Sequence, residues 1–194
     1  MKGVIFNLLE AFVCERWGEE AYESLLDRTT LVTGDPFVGP GTYPDADLTA
    51  LVKSAAELLD LPVPEVLRAF GEFCFPKLAG RVPDLVDDHP DLISFLESVD
   101  TVLHVEVTKL IPQAVTPSFL VEPTGPGQAR LQYTSERKLC AFMEGLLVGA
   151  ARHFECEIDY AKHSCMHEGA VSCEYEVVVR APLVTPPAGA VLHQ

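Results

Sequence analysis

The hydrophobic pattern of this chain changes near Pro117, from a helical period to the alternation typical of strands. Before Pro117, apolar residues recur every three or four positions, beginning with the run from residue 2 to residue 17. That spacing places them on one face of a helix. After Pro117, short runs rich in β-branched and aromatic residues, such as residues 175–179, predict strands. A chain that forms helices first and strands afterwards is typical of an α+β fold.

The pattern predicts the order of the elements along the chain. Helices are expected at about 2–17, 19–27, 64–78 and 90–112. Another is expected between the second and third of these, with Asp45 or Asp47 as its cap and an apolar face from Leu48 to Leu59. Strands are expected at 119–121, 130–133, 157–160 and 175–179, and a further helix at about 136–153. We therefore predict an N-terminal helical subdomain (about 1–62) and a C-terminal subdomain (about 63–180) with a four-stranded antiparallel sheet and helices. Residues 181–194, rich in Pro, Ala and Gly, are expected to form a flexible tail.

The charge of the chain excludes several classes of partner. Acidic residues number 29 and basic residues 14, which gives a formal net charge of −15. Nucleic acids and anionic membranes are therefore not expected as partners, because both attract clustered Lys and Arg. No apolar run approaches the length of a transmembrane helix. Six cysteines without a secretion signal predict free thiols or metal ligands in the cytoplasm.

One histidine, His104, lies in the otherwise apolar helix before Pro117, on the same face as Thr108 and Ile111. A histidine in this position is either a core residue with an ordinary hydrogen bond or a neutral imidazole that ligates a metal. Pro117 also has two interpretations. It separates helix from strand, or it is a rigid contact against a flat ligand held by His104.

Tyr133, Ser135 and Arg137 alternate along the chain. In an extended segment these side chains point to one side, and together they offer donors to two neighbouring carboxylates. The alternative is a strand end in which Ser135 caps the following helix.

Cysteines and histidines concentrate near the C-terminus. Cys140, Cys165 and Cys173 with one histidine have the composition of a tetrahedral Cys3His zinc site. His163 is the favoured histidine and His167 the alternative. The other interpretation is a set of buried free thiols in a reducing cytosol.

His104, the run Lys-Leu-Ile-Pro at 109–112, Pro117 and the motif Tyr133-x-Ser135-x-Arg137 together resemble the H-NOX family of haem-nitric oxide/oxygen binding domains. This family includes the haem domain of soluble guanylate cyclase and stand-alone bacterial gas sensors. The resemblance covers about residues 1–180. It implies a haem b between the two subdomains, His104 on the iron, the Tyr-x-Ser-x-Arg side chains on the propionates and Pro117 distorting the porphyrin.

The resemblance also implies the residues of the distal gas pocket, which are Ile5, Leu9, Cys74, Phe142 and Leu146. Oxygen-binding members have a distal tyrosine where this chain has Phe142. A hydrogen bond to a charged acceptor contributes about 1.5–3 kcal/mol. Without that donor, the chain is expected to bind NO and CO and to exclude O2, and NO is expected to weaken or break the iron–His104 bond. Some members also carry zinc at similar cysteines.

The expected output is a signal rather than a reaction. The chain ends soon after the last predicted strand, so a separate enzyme, a histidine kinase or a cyclic-di-GMP enzyme, is the expected partner. A haem enzyme such as a peroxidase is a second candidate, but it needs a distal His or Arg that the pocket residues do not supply. A zinc-stabilised interaction or small-ligand domain without haem is the third.

Overall fold

The computed structural model describes residues 1–34, 36–105 and 115–182. Its helices are α1 (Gly3–Trp17), α2 (Glu19–Arg28), α3 (Asp45–Leu59), α4 (Val63–Ala79), α5 (Asp84–Asp87), α6 (Leu92–Ser98) and α7 (Cys140–His153). Its strands are β1 (Ser118–Gly125), β2 (Gln128–Thr134), β3 (Cys156–Ser164) and β4 (Cys173–Pro182). No helix among these residues is long and apolar enough to cross a membrane. The mixture of helices with a four-stranded sheet confirms the predicted α+β fold.

The strands form a single antiparallel sheet in the order β1-β2-β4-β3. β2 alternates regularly between exposed and buried side chains, because one of its faces packs against the core and the other is solvated. Tyr133 of β2 lies opposite Phe119 of β1 on one side and opposite Cys173 of β4 on the other. The beginning of β1 is therefore tied directly to the motif that ends β2.

The first helices bury a core of their own, in which α1 contributes Phe6, Leu9 and Phe12. The expected cap of α3 was wrong, because the residue at its N-cap is Pro44 and no side chain caps the helix there. Asp47 is instead buried and accepts hydrogen bonds from the backbone N–H groups of Val32 and Thr33. It fixes the preceding loop rather than the helix end.

Helices α4 and α7 form the seam between the helical core and the sheet. α4 contributes Phe70 and Cys74 to the first core, and Phe75 to the second core, which includes the sheet. The two helices pack very closely, since a Cβ atom at Gly145 would lie 2.1 Å from the Arg68 carbonyl oxygen. Glycine is required there because a methyl group does not fit.

The helix before His104 differs from the expected single helix over 90–112. α6 has only seven residues, with Asp91 as its cap, and a π-helical turn follows it over Val99–Leu103. The rest of the expected helix, residues 106–112, lies outside the described part of the chain. π-Helical turns are rare in proteins, and those that occur are often at functional sites. The widened turn directly before His104 is therefore consistent with a functional site there.

Candidate functional site

His104 directly follows the π-helical turn, and 17% of its side chain is exposed. Its Nδ1 lies 3.1 Å from Oδ1 of Asp100, one turn earlier. A hydrogen bond to a carboxylate requires the proton on Nδ1, so in the neutral imidazole the lone pair is on Nε2. Metal-ligating histidines adopt this arrangement, in which the second ring nitrogen donates to a carboxylate or a carbonyl. The chemistry at His104 therefore fits an iron ligand.

The chain re-enters the described region at Val115 and passes through Pro117, which is half-buried, into β1. The backbone N–H of Phe119 donates to Asp100 Oδ1 over 3.2 Å. The beginning of β1 is thereby held against the turn that precedes His104. Pro117 lies in the short segment that this hydrogen bond restrains.

Tyr133 and Ser135 lie together at the end of β2. Tyr133 belongs to the buried core of the sheet. Burial raises the pKa of its hydroxyl, and the hydrogen bond with Ser135 partly offsets that rise. Ser135 is not the cap of α7, because that helix begins at Cys140 with Leu139 at its N-cap. The Ser135 hydroxyl accepts instead from the backbone N–H of Arg137 at 3.3 Å.

Arg137 is held in place by contacts from distant parts of the chain. Its Nε lies 2.8 Å from Oδ2 of Asp45, and its Nη1 donates to the Val115 carbonyl at 2.8 Å. Asp45 also binds the N-terminal ammonium of Met1 at 2.5 Å. Burial alone would raise the pKa of Asp45, but these two cations hold it below its usual value. A cavity of about 340 Å³ opens beside Met1, Asp45 and Arg137, so a fixed guanidinium faces an accessible space.

The five residues expected in the gas pocket come from three helices and pack in or against the helical core. Leu9 and Cys74 are fully buried, and the other three are half-buried. They are Ile5 and Leu9 of α1, Cys74 of α4, and Phe142 and Leu146 of α7. The only polar hydrogen in this set is the Cys74 thiol, whose pKa is raised strongly by burial. This set of residues is therefore apolar and lacks a strong hydrogen-bond donor.

Taken together, these residues fit a haem. An imidazole with its lone pair on Nε2 suits the iron, the apolar wall suits the porphyrin, and the Tyr133, Ser135 and Arg137 donors suit its carboxylates. The fit rests on the donor chemistry of side chains from α1, α4, α7, β2 and the turn after α6.

Three of the predicted zinc ligands lie together. Cys140, Cys165 and Cys173 are buried, and their sulfur atoms all lie within 4.8 Å of one another. Burial and the two neighbouring thiols raise the pKa of Cys140 to about 12. Burial also acts to raise the pKa of Cys165, but hydrogen bonds from the His167 backbone and the other two thiols outweigh it and lower that pKa. Cys165 is thus the thiol of the three that ionises most easily.

His163 does not join the three cysteines. Lys162 pairs with Tyr175 and Ser164 pairs with Glu174, so His163 is the extra residue of a β-bulge. Its Nε2 lies 3.6 Å from Glu176 on the exposed side. The neighbouring Lys162 contacts the buried Glu144, with Nζ 2.6 Å from Oε1. His167 lies on the 3-10 turn just after Cys165, with Nε2 2.8 Å from the Lys138 carbonyl oxygen.

A buried carboxylate is a feature that the sequence analysis missed. Glu144 of α7 is 1% exposed, and Arg68, Lys162 and Tyr175 surround it at 2.7, 2.6 and 2.9 Å. Burial acts to raise the pKa of Glu144, but these three donors lower it below its usual value. The only signal in the sequence is a single acidic residue within the apolar run 139–151. The four side chains join α4, α7, β3 and β4.

The chain is similar to known proteins in family, in sequence and in structure. The family model described as Haem-NO-binding matches residues 2–162. The soluble guanylate cyclases gcy-35 and gcy-32 of Caenorhabditis elegans are each 27% identical to the chain, over 157 and 141 residues. These matches cover 78% and 71% of this chain but only 23% and 20% of the two cyclases. The chain thus spans less than a quarter of the length of either relative.

Solved structures with the same fold extend over nearly the whole chain. An H-NOX protein from S. oneidensis in the Fe(II)NO ligation state is 35% identical, with a TM-score of 0.87 over 93% of this chain and 100% of that chain. An unliganded Fe(II) H-NOX protein from K. algicida is 24% identical, with a TM-score of 0.87 over 94% of this chain and 98% of that chain. The second likeness concerns the fold alone.

Proposed function

Because the chain belongs to the haem-NO-binding (H-NOX) family, we propose that it is a gas sensor that binds NO and CO at a five-coordinate ferrous haem b and excludes O2. Members of this family are haem-binding gas-sensor domains. The observation that supports the proposal most directly is the hydrogen bond from His104 Nδ1 to Asp100, because it leaves Nε2 of a neutral imidazole as the nitrogen that would ligate the iron.

In this proposal each group of residues has a separate task. His104 supplies the single protein ligand of the iron. Tyr133, Ser135 and Arg137 hold the two propionates, and Arg137 is already oriented by Asp45. Pro117, which lies just before β1, would be the residue that keeps the porphyrin distorted. When it is bound, the haem supplies the metal centre at which a diatomic gas coordinates.

The exclusion of O2 is supported by the apolar wall around Phe142. O2 gains more than NO or CO from a nearby donor, and a hydrogen bond to a charged acceptor contributes about 1.5–3 kcal/mol. Among the five residues proposed for the pocket, only the buried Cys74 has a polar hydrogen, and a thiol is a weak donor. The same residues provide no His or Arg for peroxide chemistry, which favours a sensor over a haem enzyme.

The proposed signal is the release of His104 when NO binds. The segment around His104 would then adopt a second arrangement, and a partner would respond if its affinity for the two arrangements differs. We propose that the partner is a separate enzyme, a histidine kinase or a cyclic-di-GMP enzyme, with a basic docking surface that complements the net charge of −15. The six cysteines, none of them in a disulfide, fit a protein that works in the cytoplasm.

Absorption spectra of the purified protein test this function. We expect a Soret band that shifts with NO and with CO and is unchanged by air in the ferrous protein. His104→Gly is expected to need added imidazole to retain that spectrum, whereas His153→Gly, at the end of α7, is expected to behave like the parent protein. A protein purified with added haem that shows no Soret band, or one that forms a stable complex with O2, contradicts the proposal.

We also propose a structural zinc ion on Cys140, Cys165 and Cys173. Three converging thiols supply three ligands of a tetrahedral site. His167 is the better fourth ligand, because the bulge directs His163 toward Glu176.

Elemental analysis tests the zinc proposal, with about one zinc per chain expected from the parent protein. Cys165→Ser is expected to lose that zinc, while Cys14→Ser, outside the cluster, is expected to keep it. Protein expressed with added zinc but purified without any refutes the site. Retention of zinc by Cys165→Ser refutes it equally.

A further inference from the structure

Asp100 has contacts that a surface carboxylate on a helix does not ordinarily make. It lies in the π-helical turn Val99–Leu103, and 36% of its side chain is exposed. A single oxygen, Oδ1, accepts two hydrogen bonds, one from His104 Nδ1 at 3.1 Å and one from the Phe119 backbone N–H at 3.2 Å. One carboxylate thus joins the histidine to the first strand of the sheet.

We propose that Asp100 is a positioning residue that sets how strongly His104 binds iron and couples the position of His104 to β1. This inference rests on the proposed ligation of haem by His104. A carboxylate that accepts from the second ring nitrogen orients the imidazole and increases its electron donation to a metal. A neutral acceptor in the same place does so less, since hydrogen bonds to charged groups are about twice as strong.

The coupling to the sheet follows from the position of Phe119. Its side chain is buried in the core of the sheet, and its backbone pairs with Tyr133, the first residue of the proposed propionate grip. The Phe119 N–H is thus fixed by the sheet, whereas His104 follows a short helix and a widened turn. A rotation of His104 must either break the bond to Asp100 or pull on the anchored end of β1.

Asp100 contacts one group close to it in sequence and one far from it. Residues four positions apart lie on one face of a helix, so the contact between Asp100 and His104 is a local one. The bond to Phe119 spans 19 positions and requires the turn to lie against the beginning of β1. The Asp100 side chain therefore accepts hydrogen bonds from His104, which is near in sequence, and from Phe119, which is distant.

Two substitutions separate the charge of Asp100 from its capacity to accept hydrogen bonds. Asp100→Asn keeps an acceptor oxygen of similar shape and removes the charge, while Asp100→Ala removes both. Glu97→Gln is the matched control, because it removes one exposed carboxylate from α6, the helix directly before the turn that contains Asp100. Thermal unfolding of each apoprotein checks that the fold is kept.

Resonance Raman spectroscopy of the ferrous proteins measures the iron–histidine stretch, which a purely structural role would not alter. We expect Asp100→Asn to bind haem and to shift that band to lower frequency, and Glu97→Gln to leave it unchanged. Asp100→Ala is expected to lower haem affinity by about 10- to 100-fold, the usual effect of removing such a partner of a metal ligand. The NO-driven loss of the band is expected to be faster in both Asp100 variants.

An Asp100→Asn protein whose band and NO response match those of the parent overturns this inference. His104→Gly distinguishes that outcome from failure of the proposed function. If the band of the parent protein persists in His104→Gly, then His104 is not the ligand and both proposals fall. If His104→Gly abolishes the band but Asp100→Asn leaves it unchanged, only the role of Asp100 is refuted.

Discussion

The buried carboxylate of Glu144 provides the sharpest test of how the seam between the helices and the sheet is stabilised. Its side chain is 1% exposed and is contacted by Arg68 at 2.7 Å, by Lys162 at 2.6 Å and by Tyr175 at 2.9 Å. Removing one partner of a buried ion pair costs about 3–5 kcal/mol, because a charge remains uncompensated. Here both cations are about one-third exposed, so they can rehydrate. We therefore expect Glu144→Gln to lose about 3 kcal/mol of unfolding free energy, at the low end of that range.

Urea denaturation measures this loss, and Tyr175→Phe is the control. That variant removes one hydrogen bond to a charged group and leaves both ion pairs, so its loss is expected to be smaller, about 1.5 kcal/mol. An unfolding free energy of Glu144→Gln within about 0.5 kcal/mol of the parent value, the range of ordinary surface substitutions, would refute this account.

The pH dependence of stability provides an independent check on the charge of Glu144. Its pKa in the folded protein is lowered below the ordinary value of 4.5. The unfolded state therefore binds more protons between the two pKa values, and stability falls as the pH decreases. The contribution is complete above pH 4.5 and is lost as the pH falls through the lowered pKa. The difference in unfolding free energy between the parent protein and Glu144→Gln must therefore shrink as the pH falls below 4.5.

Further predictions concern the gas pocket and the helix seam. Phe142→Tyr is expected to raise O2 affinity by about ten- to a hundredfold, since it adds a donor, and Phe142→Leu is not; an oxy spectrum in air distinguishes them. Gly145→Ala places a methyl group 2.1 Å from the Arg68 carbonyl oxygen, so we expect about 2 kcal/mol of destabilisation and a lower Tm. Gly34→Ala has no atom within 4 Å of the added carbon and is expected to leave Tm unchanged.

The order of the elements was predictable because it depends on local hydrophobic period. The run in α3 keeps its apolar residues on one face, and β2 alternates strictly between exposed and buried positions. Each pattern is compatible with only one of the two regular structures. The π-helical turn was not predictable in this way, because a widening over five residues leaves the surrounding hydrophobic period almost unchanged.

Local sequence patterns could not predict the contacts between residues that are far apart in the chain. Arg137 is oriented by Asp45, 92 positions away, and Glu144 meets Arg68, 76 positions away. The sequence shows Asp45 and Glu144 as acidic residues, but it does not show which basic residues they contact. A charged residue within an apolar helix does predict that some partner exists, because an unpaired buried charge is too costly. It does not identify that partner.

The spacing of His163 and Cys165 predicted that both would ligate one metal, and a single extra residue in β3 makes that prediction wrong for His163. His163 and Cys165 are two positions apart, and in a regular strand their side chains would point to the same side. The bulge at His163 removes that relation, so that Cys165 is buried while His163 faces Glu176. The inward position goes instead to Lys162, which pairs with Glu144. A bulge adds one unpaired residue without a hydrophobic signature of its own, so the three cysteines could be grouped from the sequence but the fourth ligand could not.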